Sequence, residues 1–359
     1  MKYLNALKLV EGVGPQSFKK LLSHFGSGEH IWSASKSELM QSGISEKVAE
    51  KITHGRPLVN PSIQWELIEK EQISLIPFDA PEFPALLKEI PSCPYLLYTK
   101  GDINLLKDTS IAIVGSRSFT QYGKMATEHI AQEISRAGIC IASGLAFGID
   151  ALAHQGALLA NGKTIAVLGN SLDSASISPK AHVGLSRQII SGGGLLVSEF
   201  PPRTQASPFT FPMRNRIIAG ISLATLIIEA AEKSGSLITA NYALEFNRDV
   251  FAVPGSIFSP QSEGTNNLIK KGAKLIGSIN DILEELPLVN CATDHTAIGE
   301  PSLNQEEKTV FTLLSHEPLH IDRIIKLTTL DTSQTVSILT MLEIKGIIKN
   351  IGGQNYVKL

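Results

Sequence analysis

Six short apolar runs, separated by stretches of helical periodicity, constrain the fold of this chain more than any other feature. The runs cover residues 110–114, 139–143, 164–168, 194–198, 223–228 and 250–253. They are apolar at nearly every position, which is typical of strands that are buried on both faces of a parallel sheet. Helical stretches such as 123–137, 149–159 and 237–246 lie between them. The alternation predicts an α/β fold with a Rossmann-like, doubly wound and mostly parallel sheet.

The segments before and after this predicted sheet form smaller predicted domains. Residues 1–56 predict a helical domain of helix-hairpin-helix or SAM-like type, because a Gly-Val-Gly-Pro turn separates two helical patterns. Such a turn presents backbone amides to DNA phosphates, although a simple packed helical pair has the same pattern. Residues 57–108 are rich in proline, so we expect only short strands and turns there, in a lead-in lobe of a Rossmann-like domain that spans 57–287.

The C-terminal part predicts a linker and a winged helix. Residues 288–303 contain no Lys or Arg and have a linker-like composition. Residues 304–359 show three helical patterns and a hairpin that turns at Gly352 and Gly353, which is the order of a winged helix-turn-helix. This segment contains six Lys and Arg residues and six Asp and Glu residues, so its net charge is zero. A DNA-reading winged helix is usually more basic, so a protein contact is at least as plausible a role.

Composition narrows the class of protein. Hydrophobic residues make up 43% of the 359-residue chain and charged residues 18%, as in globular proteins, and the net charge is −2. Nucleic acid would therefore have to be bound by a local basic patch. The three cysteines, Cys93, Cys140 and Cys291, are far apart, which argues against a disulfide framework or a zinc site. No apolar run is long enough to span a membrane, so we expect a cytoplasmic protein without a membrane partner.

Four strand-to-helix junctions carry the candidate binding residues. Glycines and hydroxyl side chains at such junctions leave N–H groups free for a phosphate, and arginines add charged contacts. The third junction, PPRTQASPFTFPMRNR, interleaves arginines with Phe209 and Phe211, and aromatic rings can stack on bases. The predicted DNA-binding residues at the four junctions are Gly115, Ser116, Arg117 and Thr120; Gly144; Arg203, Arg214, Asn215 and Arg216; and Ser234, Gly235, Ser236 and Thr239.

Each junction also has a purely structural interpretation. Arg117 could form a surface ion pair, the glycines around Gly144 could allow close helix–strand packing, and the phenylalanines of the third junction could belong to the core. The junctions nevertheless follow strands of one predicted sheet, and open α/β sheets bind ligands at the carboxyl ends of their strands. Four such junctions at one edge therefore favour a binding site more than any single one does.

Catalytic signatures are missing from the sequence. It contains no GxSxG elbow, no Walker A motif and no HExxH motif, so we predict no catalytic residues, no metal and no cofactor. Glu199 and Glu229 end predicted strands and could perform acid–base chemistry. Helix capping or pairing with arginine is the better interpretation of both carboxylates.

Taken together, these motifs resemble the DprA/Smf family of DNA-processing proteins. The matching stretches include IAIVGSRSFTQYG, IASGLAFGIDALAHQGAL, FPMRNRIIAG and EAAEKSGSLITANYALEFNRDVFAVPG. The resemblance implies a protein of natural transformation that binds and protects incoming single-stranded DNA, helps to load the recombinase RecA, and forms a homodimer through the Rossmann-like domain. It also implies that Arg117 and Lys180 contact DNA. The tyrosine that usually stands two residues before this lysine is replaced here by Ser178, so this chain has no aromatic ring at that position.

Two alternatives remain open at this point. A nucleotide-processing enzyme of the phosphoribohydrolase type shares this Rossmann variant, although its PGGxGT turn is replaced here by SGSLIT. A DNA-dependent transcription regulator would use the winged helix, and the neutral charge of that segment argues against it. A dehydrogenase would need the glycine fingerprint GxGxxG at the first junction, and this is lacking.

Overall fold

The computed structural model describes residues 1–286, 303–315, 317–328, 330–345 and 347–358. The chain divides into two compact units, Met1–Cys291 and Ala292–Leu359. The predicted linker at 288–303 lies outside the described residues except for its last position, and so does Cys291.

A nine-stranded sheet forms the centre of the first unit. Its strands are β1 Ser74–Pro77, β2 Leu96–Gly101, β3 Ser110–Val114, β4 Cys140–Ser143, β5 Thr164–Val167, β6 Leu195–Ser198, β7 Ala224–Ile227, β8 Asp249–Ala252 and β9 Lys274–Leu275. Their order across the sheet is β1-β2-β6-β5-β4-β3-β7-β8-β9. The seven strands β6-β5-β4-β3-β7-β8-β9 pair in parallel with their neighbours. The strand β2 pairs antiparallel with both β6 and β1. The predicted Rossmann-like, mostly parallel sheet is confirmed.

The six predicted runs correspond to β3 through β8, and their ends agree to within one residue. Every residue of β3, β4, β5, β6 and β7 is buried, which explains why these strands are continuously apolar. The order of the strands reverses at β3, which has β4 on one side and β7 on the other. A crevice at the carboxyl ends of such strands is the usual ligand site of an open α/β sheet.

Fourteen α-helices accompany the sheet in the described residues of the first unit. They are α1 Lys2–Lys8, α2 Pro15–Phe25, α3 Gly28–Ser33, α4 Lys36–Gln41, α5 Glu46–Gly55, α6 Pro61–Lys70, α7 Ala85–Lys88, α8 Gln121–Arg136, α9 Ile149–Leu159, α10 Val183–Ser191, α11 Thr210–Ile221, α12 Ser236–Glu245, α13 Glu263–Lys270 and α14 Ile279–Glu285. Residues alternate between the two faces of β3. Ile111 and Ile113 pack in the core that contains Ile130 of α8, while Ala112 and Val114 pack in the core of α11 and α12.

The proline-rich segment differs from its prediction. It was expected to hold only short strands and turns, but α6 is a ten-residue helix. Pro61 stands at the first helical position, where a missing N–H costs nothing, and the Asn60 side chain accepts hydrogen bonds from the next two amides. The segment also supplies β1 and β2, so it extends the sheet as well as leading into it.

The N-terminal helices share a core with the sheet. Leu7 and Phe18 belong to the same buried cluster as Tyr95 and Tyr98, and the rings of Phe18 and Tyr95 stack with centroids 3.9 Å apart. The Tyr98 hydroxyl donates a hydrogen bond of 2.7 Å to the Asn5 side chain. The hydrophobic core is therefore continuous across the predicted domain boundary at residue 56.

The second unit is a winged helix, as predicted. Its elements are α15 Gln305–Leu313, β10 Leu319–His320, α16 Ile321–Leu327, α17 Thr332–Ile344, β11 Ile348–Asn350 and β12 Asn355–Lys358. The three strands form a small antiparallel sheet in the order β10-β12-β11. Val310, Ile324 and Leu339 lie at the centre of its own core. None of the helices in the described residues is long and apolar enough to cross a membrane.

Candidate nucleic-acid interface

A cavity of about 600 Å³ opens at the carboxyl ends of β3, β4 and β7, where the strand order reverses. All four predicted junctions contribute residues to it. Nine of the predicted site residues line the cavity, namely Gly115, Ser116, Arg117, Arg214, Asn215, Ser234, Gly235, Ser236 and Thr239. Thr120, Gly144, Lys180, Arg203 and Arg216 do not line it.

The start of α8 is occupied by a carboxylate of the protein itself. The buried Glu229 side chain accepts hydrogen bonds from the Thr120 backbone N–H at 2.8 Å and the Thr120 hydroxyl at 2.5 Å. A Cβ at Gly123 would lie 2.1 Å from the same carboxylate. Glu229 therefore fills the anion position at this helix N-terminus, and Thr120 caps the helix. The interpretation of Glu229 as a capping carboxylate is confirmed.

The loop before α9 is closed in a similar way. Asp150, in the first turn of α9, is buried and accepts a hydrogen bond of 3.1 Å from the Gly144 N–H. Burial raises the pKa of the Asp150 carboxyl, and the neighbouring Arg214 guanidinium opposes that shift. A Cβ at Gly144 would lie 2.1 Å from the Arg214 side chain. Close packing, the structural interpretation of this glycine, is therefore what the protein shows.

The start of α12, in contrast, has no acidic residue in its first turn. Gly235 precedes the helix, and its N–H has no hydrogen-bond partner among the described residues. Thr239 is 1% exposed, and its hydroxyl makes no hydrogen bond within the described part of the chain. Thr239 lines the cavity, and its hydroxyl is not among the fully buried side-chain atoms that lack a hydrogen-bond partner. Ser234 accepts hydrogen bonds from the Ser236 and Leu237 amides. The Gly235 N–H is therefore the backbone donor at this helix start that is open to an anion, with no carboxylate of the helix in its way.

Arg117 stands at the mouth of the cavity. Its side chain is exposed, and its guanidinium carbon lies 5.5 Å from the centre of the Phe211 ring, within the range of a cation–π contact. The chain reaches this position because Ser116 turns sharply after β3. The Ser116 N–H donates to the Glu229 carbonyl, and its hydroxyl contacts Ser118 and Gln261. An exposed guanidinium beside an aromatic ring is suited to a phosphate or to the face of a base.

Arg214 lies beneath Arg117 and is 3% exposed. One nitrogen of its guanidinium donates hydrogen bonds to the carbonyls of Gly144 and Val167, which ties together the ends of β4 and β5. Burial lowers the pKa of Arg214 to about 10, while the nearby Asp150 carboxylate raises it. Asn215 accepts from Arg214 and donates to the Gly235 carbonyl, so it links this arginine to the start of α12. Arg214 therefore positions the walls of the cavity.

Arg216 points away from the cavity and is 7% exposed. It forms a buried ion pair with Glu199, with a nitrogen–oxygen distance of 2.5 Å. Lys8 of α1 lies close enough to interact electrostatically with both groups, and its pKa is lowered mainly by burial. The interpretation of Glu199 as the partner of an arginine is confirmed. This pair joins the end of β6 to α11 in the interior.

Two further predicted cations lie outside the cavity, and both are exposed. Lys180 follows β5 in a short turn, Lys180–His182, and its exposed ammonium donates to the Ala175 carbonyl. Arg203 is also exposed, and its backbone N–H donates to Asp173 at 2.8 Å. The structure thus separates the predicted site into a cavity and an outer rim.

Several residues that line the cavity were missing from the predicted site. Lys233, Gln261 and Asp150 line the cavity, and Lys233 adds another exposed cation beside α12. Lys233 and Asp150 lie inside two of the strand-to-helix junctions described in the sequence analysis, so the sequence could have identified both. Gln261 follows β8 in a loop without such a motif and could not have been found in this way.

The fold and the cavity define a class: a Rossmann-like α/β protein with an additional winged helix. Residues 74–287 match the family described as DNA recombination-mediator protein A, and residues 296–354 match the DprA winged helix domain. The chain therefore belongs to the DprA/Smf family of DNA-processing proteins.

Individual relatives agree with this assignment. The chain is 36% identical to protein Smf of Synechocystis sp., over 99% of this chain and 98% of the relative. It is 45% identical to DNA processing protein DprA of Bacillus subtilis, over 61% of this chain and 73% of the relative. The crystal structure of DprA from Streptococcus pneumoniae has a TM-score of 0.68 and 36% identity, over 79% of this chain and 98% of that one.

A second solved structure concerns nucleic acid directly. DprA from Helicobacter pylori, described for its single-stranded DNA binding mode, has a TM-score of 0.54 and 31% identity. The match covers 60% of this chain and 96% of that one.

Proposed function

We propose that this protein binds single-stranded DNA at the carboxyl edge of its sheet. The observation that carries the proposal is the cavity in which the exposed Arg117 faces the carboxylate-free start of α12. A helix N-terminus and a guanidinium both attract phosphate oxygens. The relative from Helicobacter pylori, which is described as binding single-stranded DNA, supports the same ligand for this chain.

Single strands fit this edge better than duplex DNA does. The bases of a single strand can leave the backbone and stack on aromatic rings, and Phe211 lies directly under Arg117. Reading a duplex would instead require an element that enters a groove, usually a basic helix. The helix of the winged helix that would take this role, α17, contains no Lys or Arg.

Further roles follow from the family resemblance. We propose that the protein protects incoming single strands during natural transformation, helps to load RecA onto them, and acts as a homodimer through its Rossmann-like unit. Site residues Gly115, Ser116, Arg117, Ser234, Gly235, Ser236 and Thr239 would contact the strand, with Lys180 and Arg203 on the outer rim. Thr120, Gly144, Arg214, Asn215 and Arg216 would support these contacts from behind.

The protein is proposed to act without catalysis. The alternative, a nucleotide-processing enzyme, would need a carboxylate for acid–base chemistry. Glu229 is engaged by Thr120, whereas Asp150 lines the cavity with a raised pKa. A nucleotide turnover assay with the unaltered chain and Asp150→Asn is therefore the sharpest comparison. We expect no multiple-turnover release of base or phosphate; steady turnover that is lost in Asp150→Asn would establish the enzyme instead.

The binding proposal is tested by titrating the full chain with single-stranded and duplex oligonucleotides of equal length at several salt concentrations. We expect a clear preference for single strands, little dependence on sequence, and an affinity that falls as salt rises, because phosphate contacts release counterions. Equal affinity for duplex DNA, or an affinity that does not change with salt, would contradict the proposal.

A further inference from the structure

Phe147 lies at the carboxyl edge of the sheet, near both Arg117 and Lys180. It lies in the loop that connects β4 to α9, and β4 pairs with β3 on one side and β5 on the other. Arg117 follows β3, and Lys180 follows β5. The topology therefore sets the Phe147 loop beside the turn of Arg117, and its contact with His182 brings the turn of Lys180 to the other side.

Contacts on both sides hold this loop in place. A Cβ at Gly148 would lie 2.7 Å from the Arg117 Cα, and the Ile149 N–H donates to the Ser116 carbonyl at 3.2 Å. On the other side, the His182 ring donates a hydrogen bond of 2.8 Å from its Nδ1 to the Leu145 carbonyl oxygen. The Phe147 and His182 rings meet edge to face at 4.9 Å. The loop is thus packed against the turn of Arg117 and the turn of Lys180 together.

Despite these contacts, the Phe147 side chain is 51% exposed. Burial of an aromatic ring is strongly favourable. A half-exposed ring between two exposed cations therefore offers an apolar surface that a ligand can cover. Phe147 does not line the cavity, whereas its neighbour Ala146 does. The ring therefore lies just outside the cavity mouth, on the way from Arg117 to Lys180.

We infer that Phe147 is a base-stacking residue, which takes one unpaired base of a single strand while Arg117 and Lys180 hold phosphates on either side of it. This inference rests on the proposed single-strand function and goes beyond it, because it assigns the contact that rejects a paired base. A base in a duplex is already stacked on both faces and cannot cover the ring. Stacking on an aromatic side chain needs no particular base, so the contact tolerates every sequence.

The test combines a protein change with a DNA change. Unaltered chain and Phe147→Ala are titrated with a thymidine oligonucleotide and with an abasic strand of the same length. We expect Phe147→Ala to weaken binding of the thymidine strand by roughly 5- to 150-fold, the range for loss of one base–aromatic stack. Affinity for the abasic strand should not change. Since the ring carries no charge, the salt dependence of the remaining binding should also stay the same.

Three controls separate stacking from a structural role. Phe147→Trp should restore affinity for the thymidine strand, and its added tryptophan fluorescence should be quenched by that strand but not by the abasic one. Leu159→Ala should bind normally, because this residue is 71% exposed at the end of α9, at the opposite edge of the sheet. Melting curves of all variants should coincide within a few degrees, since none of the changed side chains is buried.

The outcomes distinguish this inference from the proposed function. Equal loss for both strands, or no loss for either, would overturn the stacking role; if Arg117→Ala still weakened binding in the same assay, the single-strand function would stand. If the unaltered chain bound neither strand, both proposals would fall together.

Discussion

Basic residues at one edge of the sheet fall into two physically different pairs. Arg214 and Arg216 are buried, and the protein itself supplies their partners, two carbonyls in one case and Glu199 in the other. Arg117 and Lys180 are exposed and have no carboxylate partner among the described residues. The difference teaches that positive charge at a ligand edge does not identify a ligand contact. Burial and pairing separate the arginines that build the scaffold from the exposed cations that we propose as DNA contacts.

The largest effect should come from breaking the buried pair. Arg216→Ala leaves Glu199 buried without its partner, and we expect the free energy of unfolding to fall by about 3–5 kcal/mol. The measurement is urea unfolding of the full chain. As a matched control, the double variant Arg216→Met with Glu199→Leu removes both charges and should recover most of the stability. A stable Arg216→Ala protein that no longer binds DNA would instead make Arg216 a ligand contact.

A smaller loss is expected for Arg214→Lys. Lysine keeps the charge but has no second donor to replace the Nε–H that bonds Asn215 while the terminal nitrogen holds the two carbonyls, and each charged hydrogen bond contributes about 1.5–3 kcal/mol. Unfolding should show a loss of roughly that size, with weaker DNA binding because the cavity walls shift. If stability were unchanged while binding fell, Arg214 would belong with the exposed pair and the comparison would fail.

Lys180→Ala should change binding without changing folding. Its ammonium is exposed at the rim, so we expect about a tenfold loss of affinity, or about 1.4 kcal/mol, and a melting curve like that of the unaltered chain. Lys180→Arg keeps the charge and should retain most of the affinity. Normal affinity of Lys180→Ala for two unrelated strands would remove this residue from the interface.

The smallest effect should follow deletion of residues 304–359. This segment has as many acidic as basic residues, and α17 carries no Lys or Arg. Affinity for single strands should change by less than tenfold in a truncated protein that still unfolds cooperatively. A greater loss would show that the winged helix contributes directly to DNA binding and that the two units share the ligand.

The sequence predicts the sheet far better than it predicts the roles of these side chains. Buried parallel strands are apolar at nearly every position, so their ends could be located to within one residue. The strands β1 and β2 could not be assigned to the same sheet, because pairing between segments distant in sequence leaves little local signal. The ten-residue helix α6 was missed since proline was taken as a helix breaker, although Pro61 occupies the one helical position that tolerates it.

The prediction of the site residues was limited in the same way. The four junctions were found from glycines, hydroxyls and arginines near strand ends, and all four contribute to one cavity. Whether an arginine is buried depends on what packs around it in three dimensions, so Arg117 and Arg216 looked alike in the sequence. Phe147 lies within one of the motifs, but only the packing of its loop against Arg117 and His182 shows that it lies between two cations.

The most direct test of the account is the salt dependence of Arg117→Ala. Unaltered and variant chains are titrated with two unrelated single strands at several salt concentrations, and a melting curve is recorded for each protein. We predict a similar loss of affinity for both strands, a salt slope reduced by roughly 0.7 for one lost phosphate contact, and an unchanged melting temperature. Unaltered affinity and slope would show that Arg117 does not contact DNA, and a collapsed melting curve would show that this exposed arginine belongs to the scaffold.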